Sequence, residues 1–170
     1  MRELTTARLR LRRLNLEDAP ILATLTDDET VTRNLLKTRQ PFTLQNAHDL
    51  IARAQTPGAP IWGIDDGTLA GVMGLRGEFG FWLGKTTRGR GYAEEAGRAA
   101  INYAFTALGY DHLVARPMED NTASQYVLGK LGFRAKGTER CWSAGRGCQV
   151  TLVVMWITPP PPLPMHACVS

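Results

Sequence analysis

A glycine pair between a short apolar segment and a long alanine-rich segment constrains this chain more than any other feature. Gly80-Phe81-Trp82-Leu83 has the composition of a strand, and Arg88-Gly89-Arg90-Gly91-Tyr92-Ala93 leads directly into a helical pattern. Glycine lets main-chain N–H groups approach an anion without interference from a Cβ atom. The first turn of a helix adds unpaired N–H donors and the positive end of its dipole. The segment therefore predicts a pyrophosphate site at a helix start.

Two other phosphate-binding motifs do not fit the glycines of this region. A Walker A loop requires four residues before its Gly-Lys-Thr triplet, but only Phe81-Trp82-Leu83 separates Gly80 from Gly84-Lys85-Thr86. The dinucleotide fingerprint fails because Gly89-x-Gly91-x-x-Glu94 ends on a charge where a small residue must pack closely. On the motif alone, one alternative stays open: the glycines only shape a strand-to-helix turn, with arginines for solubility.

Apolar periodicity predicts one domain of alternating strands and helices over residues 1–157, followed by a proline-rich tail over 158–170 that is expected to be disordered. Residues 27–42 are polar and irregular, and segments of this kind often cover or admit a substrate. The strands at 78–83 and 112–116 flank a helix and predict a parallel βαβ unit. The remaining strands are predicted at 8–14, 60–64, 69–75, 134–143 and 148–157, and the helices after Asn15, after Thr43, from about 92 to Gly109, and after Asn121 or Thr122.

Composition excludes several classes of function. The chain has 170 residues and a net charge of +4, which suits one domain and an acidic ligand. It contains neither a long apolar stretch for a membrane span nor an N-terminal secretory pattern, so a cytoplasmic location is expected. Cys141, Cys148 and Cys168 lack metal-ligand spacing, and we expect no metal and reduced thiols. The arginines of residues 8–13 are separated by leucines, which indicates a strand with a solvated face and disfavours nucleic-acid binding.

Five segments, in order along the chain, resemble the GNAT superfamily of N-acetyltransferases, and most closely its RimJ/RimL-like ribosomal-protein N-terminal acetyltransferases. The cofactor loop of that superfamily is similar to Thr86-Thr87-Arg88-Gly89-Arg90-Gly91, with Thr86 as the one departure. The resemblance implies an α/β (α+β) fold with a mixed, mostly antiparallel sheet of about six or seven strands, splayed in a V and flanked by about four helices. The segments are Thr6–Arg12, Gly80–Leu83, Gly89–Ala96, Asn121–Ser124 and Val127–Phe133.

The resemblance also implies a place for acetyl-CoA in the V of the sheet. Its pantetheine arm would bond like an added strand to the main chain around Trp82 and Leu83, and Asn121 would contact that arm or an ordered water. Its pyrophosphate would lie on the N–H groups of the loop, namely those of Arg88, Gly89, Arg90, Gly91, Tyr92 and Ala93.

Acetyl transfer to an amine requires a neutral amine, a polarised thioester and a proton for the leaving thiolate. The superfamily often supplies that proton from a tyrosine at the position of Leu128, so this acid is absent here. By resemblance to the RimJ/RimL-like group, Ser124 takes the role, although a plain first-turn helix position explains it equally well. Tyr126, close by in sequence, is expected to point elsewhere because helix neighbours diverge by about 100°.

Glu78 is the preferred candidate for the general base, because it stands at the start of the central strand and could reach the amine through water. Glu119 and Asp120 are the next candidates, since they lie at a strand end close to Asn121. An exposed carboxylate with no catalytic role remains the plain alternative for each of them.

The acceptor is the open question. A protein N-terminal α-amine is favoured, and an open groove between 27–42 and 140–148 would support it. A small amine such as an antibiotic, a polyamine or an amino acid is the alternative. A non-catalytic acyl-CoA-binding module and an RNA-associated protein are further readings, and the oligomeric state is left between monomer and homodimer.

Overall fold

The computed structural model describes residues 2–58 and 60–160. Over these residues the chain forms eight strands and five α-helices, one strand and one helix more than expected. The strands are β1 Leu4–Thr5, β2 Arg10–Arg12, β3 Ile61–Asp65, β4 Leu69–Gly74, β5 Gly80–Leu83, β6 Leu113–Ala115, β7 Arg134–Ser143 and β8 Cys148–Ile157. The helices are α1 Ala19–Thr26, α2 Glu29–Thr32, α3 Leu44–Gln55, α4 Tyr92–Thr106 and α5 Thr122–Lys130.

The strands form two sheets that diverge from one another. The first has the order β1-β2-β3-β4-β5 and the second the order β6-β8-β7, and the described ladders are all antiparallel. The predicted parallel pairing of 78–83 with 112–116 is reduced to one hydrogen bond between the sheets, from Phe79 N–H to Val114 O at 2.7 Å. The predicted V-shaped α/β fold is therefore confirmed, with its opening between β5 and β6.

α4 packs closely on the sheet because its inward face carries small residues. Ala96, Ala100 and Ala104 are fully buried, as their helical spacing predicted. Gly97 lies against α5, where a Cβ atom would stand only 2.6 Å from Leu131 Cδ1. The helix is thus held between the sheet and α5, and its N-terminus is kept at the mouth of the V.

The other face of the first sheet is covered by α1 and α3, which build a second core with β3 and β4. α3 begins at the predicted Thr43, whose hydroxyl accepts from Asn46 N–H in a capping box. The segment 27–42 was predicted to be irregular, but it contains α2. Asp28 caps this short helix by accepting from Thr30 N–H at 2.8 Å.

β7 and β8 form the long terminal hairpin that was predicted. Cys141 lies opposite Val150, and Cys148 lies opposite Ser143, so the two thiols are not cross-strand neighbours, and both are free. Residues 158–160 follow β8 without regular structure. The rest of the predicted proline-rich tail, with Cys168, lies outside the described residues.

Candidate active site

A cleft of about 580 Å³ lies where β5 and β6 diverge. Its walls come from β5, the glycine loop, the first turn of α4, the start of α5 and residues 30–35. Arg90 is the only residue of the predicted site that does not line the cleft. The others all line it: Glu78, Trp82, Leu83, Arg88, Gly89, Gly91, Tyr92, Ala93, Asn121 and Ser124.

The pairing of β5 with β4 decides which main-chain groups of β5 remain free. Gly84 N–H donates to Ala70 O at 2.9 Å, and Trp82 lies opposite Val72 two residues earlier in the same ladder. Bonded and non-bonded pairs alternate in an antiparallel ladder, so Trp82 directs its N–H to β4. The residues on either side of Trp82 direct theirs the other way.

Those outward-facing groups belong to Phe79, Phe81 and Leu83. Of these, Phe79 N–H donates to Val114 O of the second sheet at 2.7 Å. Beyond this bond the two sheets separate, and Phe81 and Leu83 line the cleft. The open edge of β5 therefore offers a short row of main-chain donors and acceptors to a ligand. The sequence predicted main-chain contacts to a ligand around Trp82 and Leu83. The register shows instead that the main-chain groups of Phe81 and Leu83 face the cleft.

The two glycines of the loop adopt a backbone conformation that disfavours other residues. Gly89 and Gly91 have φ of +75° and +79°, in the left-handed region where a side chain is strained. Gly91 is the N-cap of α4, so the free N–H groups of the first helical turn follow directly after it. This arrangement places the main-chain N–H donors of the first turn of α4 at the cleft wall.

The arginines of the loop are engaged by neighbouring groups of the protein. Arg88 donates from Nε to Leu83 O at 3.0 Å and from Nη1 to Thr30 Oγ1 at 2.7 Å. Its guanidinium thus joins the end of β5 to α2. The Arg90 side chain lies 3.9 Å from the Asp66 carboxylate. Both guanidinium groups remain positively charged and lie close to the positive end of the α4 dipole.

The start of α5 forms the facing wall. Asn121 caps the helix, and its Oδ1 accepts from Ser124 N–H at 3.2 Å. This cap places Ser124 on the first turn, where it lines the cleft. The cap occupies Asn121 Oδ1, which leaves the side-chain amide nitrogen as the polar group of Asn121 for a ligand or water.

Tyr126 was expected to point away from the site, and this was wrong. It borders the cleft at its outer end together with Lys130. Lys130 Nζ lies 5.3 Å from the Tyr126 ring centre and 2.9 Å from Glu94. The Tyr126 residue is 67 % exposed, so it stands at the rim, and Leu128 occupies the buried position below it.

Glu78 stands at the inner end of β5 in an ion pair. Its carboxylate lies 3.0 Å from Arg116 Nη1, and both residues line the cleft. Arg116 Nε also lies 3.0 Å from Glu139, without the alignment of a hydrogen bond. Arg116 therefore holds the Glu78 carboxylate in place, a partner that no motif indicated.

The segment 30–35 forms part of the cleft wall. Its lining residues are Thr30, Val31, Asn34 and Leu35. No spacing pattern singled out these four residues, because a short polar helix lacks a clear apolar period.

The tip of the β7–β8 hairpin is packed against this segment, so over the described residues no open groove separates 27–42 from 140–148. Ala144 N–H donates to Leu36 O at 2.8 Å. Arg146 donates from Nε to Arg33 O at 2.8 Å and makes two bonds of 2.7 and 2.9 Å to Asp120. The hydrogen bond from Arg146 is the main reason that the pKa of Asp120 is lowered.

Glu119 and Asp120, the two other candidates for the base, do not line the cleft. Asp120 is occupied by Arg146, and a carboxylate with a lowered pKa is a poor proton acceptor. The structure therefore leaves Glu78 as the carboxylate among the three that faces the cleft.

Over the described residues, no cluster of three His, Cys, Asp or Glu side chains is arranged to hold a metal ion. Over the same part of the chain, none of the helices has the length and apolar character needed to cross a membrane.

Most of the chain matches a known domain family. Residues 8–134 match the acetyltransferase (GNAT) domain, and an open edge of β5 beside a glycine loop agrees with that class. The chain belongs to the GNAT acetyltransferase family.

Relatives and solved structures cover nearly the whole chain. The uncharacterized N-acetyltransferase p20 of Bacillus licheniformis is 31 % identical over 163 residues, covering 86 % of this chain and 90 % of that protein. A GNAT-family acetyltransferase from Bacillus anthracis has a similar fold, with a TM-score of 0.81 at 21 % identity over 92 % of this chain and 98 % of the other. RimL, a ribosomal alpha-N-protein acetyltransferase in complex with coenzyme A, gives a TM-score of 0.79 at 17 % identity over 92 % and 98 %.

Proposed function

We propose that the cleft binds acetyl-CoA and that the protein transfers the acetyl group to a primary amine. The observation that carries this proposal is the open edge of β5, which runs directly into the glycine loop. The pantetheine arm contains amides that can pair with Phe81 and Leu83 like an added strand. The pyrophosphate then meets the N–H groups at the start of α4, between Gly89 and Ala93.

The same geometry suggests a role for three groups in the transfer. Leu83 N–H polarises the thioester carbonyl, on whose carbon the amine forms the new C–N bond. Glu78 accepts the proton that the amine loses, through a water, while Arg116 holds its carboxylate. The C–S bond breaks, and Ser124 donates a proton to the thiolate or hydrogen-bonds it.

The acceptor that we propose is the α-amine of a protein or peptide N-terminus. Support comes from the similarity of the cofactor and α5 segments to the RimJ/RimL-like group. The mixed charges at the inner end of the cleft, Glu78 beside Arg116, also disfavour a polycation. A small amine is the second candidate, favoured by one observation: the hairpin tip fills the groove in which an extended chain could lie.

A panel assay separates these candidates. Thiol release from acetyl-CoA is measured with peptides of varied N-terminal residue and with small amines, and CoA binding is measured by calorimetry. Turnover on peptides alone supports the proposed acceptor, and turnover on small amines alone supports the second candidate. CoA binding without turnover on any amine would indicate a non-catalytic acyl-CoA-binding protein.

Gly89→Glu tests the position of the pyrophosphate. A carboxylate at this site meets the anion directly, and like charges in contact cost several kcal/mol, so we expect CoA affinity to fall about a hundredfold or more. Gly77→Glu is the matched control, because Gly77 has the same left-handed conformation, with φ of +79°, and lies outside the cleft wall. Equal CoA affinity of the two variants would refute the proposed position.

A further inference from the structure

Arg8 lies behind the glycine loop and bonds to it over a long distance in sequence. Its Nη1 donates to Arg90 O at 3.0 Å, and its Nε donates to Glu95 Oε2 at 2.7 Å. Its guanidinium also lies over the Tyr92 ring, 5.1 Å from the ring centre. Arg8 does not line the cleft, so these contacts reach the loop from its rear.

Glu95 holds the Arg8 side chain in this position. Besides Arg8 Nε, its carboxylate accepts from Thr6 Oγ1 at 2.6 Å and from Arg8 N–H at 2.9 Å. Burial of Glu95 acts to raise its pKa, but these hydrogen bonds outweigh burial and lower it. Glu95 therefore stays ionised near neutral pH and fixes both the main chain and the guanidinium of Arg8.

The bond to Arg90 O orients the next N–H group of the loop. Arg90 C=O and Gly91 N–H belong to one planar trans peptide, in which the two groups point in opposite directions. Because Arg8 holds the carbonyl at the rear, Gly91 N–H points away from Arg8. Gly91 lines the cleft, so its N–H is directed to the side on which the anion is proposed to bind.

The Arg8 guanidinium also lies close to the loop at Gly91. A Cβ atom at Gly91 would lie 3.4 Å from Arg8 Nη2, so the guanidinium packs directly against the loop. Glycine in the left-handed region has little intrinsic preference that would hold the peptide in one orientation. Contacts from outside the loop therefore contribute to its order, and Arg8 supplies one of them through its bond to Arg90 O.

We infer that Arg8 is a positioning residue for the pyrophosphate loop, acting through Arg90 O and Gly91 N–H without contacting the donor itself. The inference rests on the proposed function, since it requires acetyl-CoA in the cleft. Loss of Arg8 therefore weakens the binding only of ligands that reach the loop. The binding of a donor that ends at the pantetheine arm depends on β5 and is unaffected.

The test uses Arg8→Met, Arg8→Lys and the control Arg10→Met. Arg10 lies on the neighbouring β2, is largely exposed and forms an ion pair with Glu3 at 3.1 Å. For each protein, KM and kcat are measured with acetyl-CoA and with S-acetylpantetheine, which lacks the pyrophosphate. CoA affinity is measured by calorimetry and folding by thermal unfolding.

We expect Arg8→Met to raise KM for acetyl-CoA about tenfold, the effect of one lost charge-assisted hydrogen bond, with kcat nearly unchanged. The KM for S-acetylpantetheine stays at the value of the unaltered protein. Arg8→Lys recovers part of the loss, because an ammonium can donate to Arg90 O but cannot also bond Glu95 through a fork. Arg10→Met behaves like the unaltered protein.

Three outcomes would overturn the inference. CoA affinity that is unchanged in Arg8→Met would refute it while the proposed function stands. An equal rise in KM for acetyl-CoA and S-acetylpantetheine would mean that Arg8 supports the whole domain. If Arg8→Met does not fold, the same comparison of the two donors is made with Arg8→Lys. Failure of the unaltered protein to bind CoA would instead refute the proposed function, and the inference with it.

Discussion

Replacing Gly145 by alanine should separate the β7–β8 hairpin from the wall of the cleft. A Cβ atom at this position would lie 2.6 Å from Thr38 O, 2.8 Å from Thr32 O and 3.2 Å from Leu35 O. All three neighbours are main-chain atoms of the segment that contains α2, so none can rotate away. The hairpin tip or the segment has to move.

The size of the effect follows from these distances. A normal carbon–oxygen contact is about 3.3 Å, so the tip must retreat by roughly 0.7 Å. A similar shift lengthens the bond from Ala144 N–H to Leu36 O, now 2.8 Å, to about 3.5 Å, where it is largely lost. Overpacking costs about 1–3 kcal/mol and the weakened bond about 1 kcal/mol. For a domain of this size, the sum of about 2–4 kcal/mol lowers Tm by about 4–16 °C.

Thermal unfolding followed by circular dichroism measures this change, with Gly137→Ala as the matched control. Gly137 lies on β7 of the same hairpin, with no atom within 4 Å of a Cβ atom and no left-handed φ. The KM for the amine should rise in Gly145→Ala and the KM for acetyl-CoA should hold, because the hairpin supports residues 30–35 and not β5. If both variants unfold at the temperature of the unaltered protein, the packing argument is wrong.

Two further predictions concern catalysis and pH. Glu78→Gln should lower kcat about a hundredfold and Ser124→Ala about tenfold, with KM for acetyl-CoA unchanged, and full turnover by either variant removes that residue from the proposed chemistry. Arg12→Met should cost about 3 kcal/mol near neutral pH, because it strands the carboxylates of Asp18 and Asp65 that Arg12 pairs. Burial acts to raise the pKa of each, but the hydrogen bonds from Arg12 hold it below 3.8. The stability from this pairing is present above that pH and lost below it, so denaturant unfolding should show the cost of Arg12→Met shrinking as the pH falls below 3.8. A cost that is the same at every pH would contradict this account.

Much of the fold was accessible from the sequence because its signals are local. The start of α3 at Thr43 and the alanine face of α4 depend on residues within one or two turns. The glycine loop belongs to this group, since Gly89 and Gly91 carry their backbone preference with them. α2 was missed because a helix of four residues, Glu29–Thr32, is too short to establish an apolar period.

The functional details were less accessible, since they depend on residues far apart in the chain. Arg8 and Glu95 are 87 positions apart, and Arg146 and Arg33 are 113 apart. From sequence alone, a charged side chain on a strand or at a hairpin tip is predicted to be solvated, because its partner is unknown. Tyr126 was misplaced for a related reason, because helical spacing gives an angle but not the position of the cleft around the helix.

The sequence by itself determined most of the elements, and it determined the glycine pair and the helix start that together favour an anion, since each is set by the conformational preferences of a few neighbouring residues. Only the tertiary structure decided what surrounds that loop. The ladder between β4 and β5 turned the N–H groups of Phe81 and Leu83 toward the cleft, where the two sheets separate. Packing brought Arg8 behind the loop and the β7–β8 hairpin against α2. Such contacts depend on where the whole chain places its elements, which no local pattern encodes.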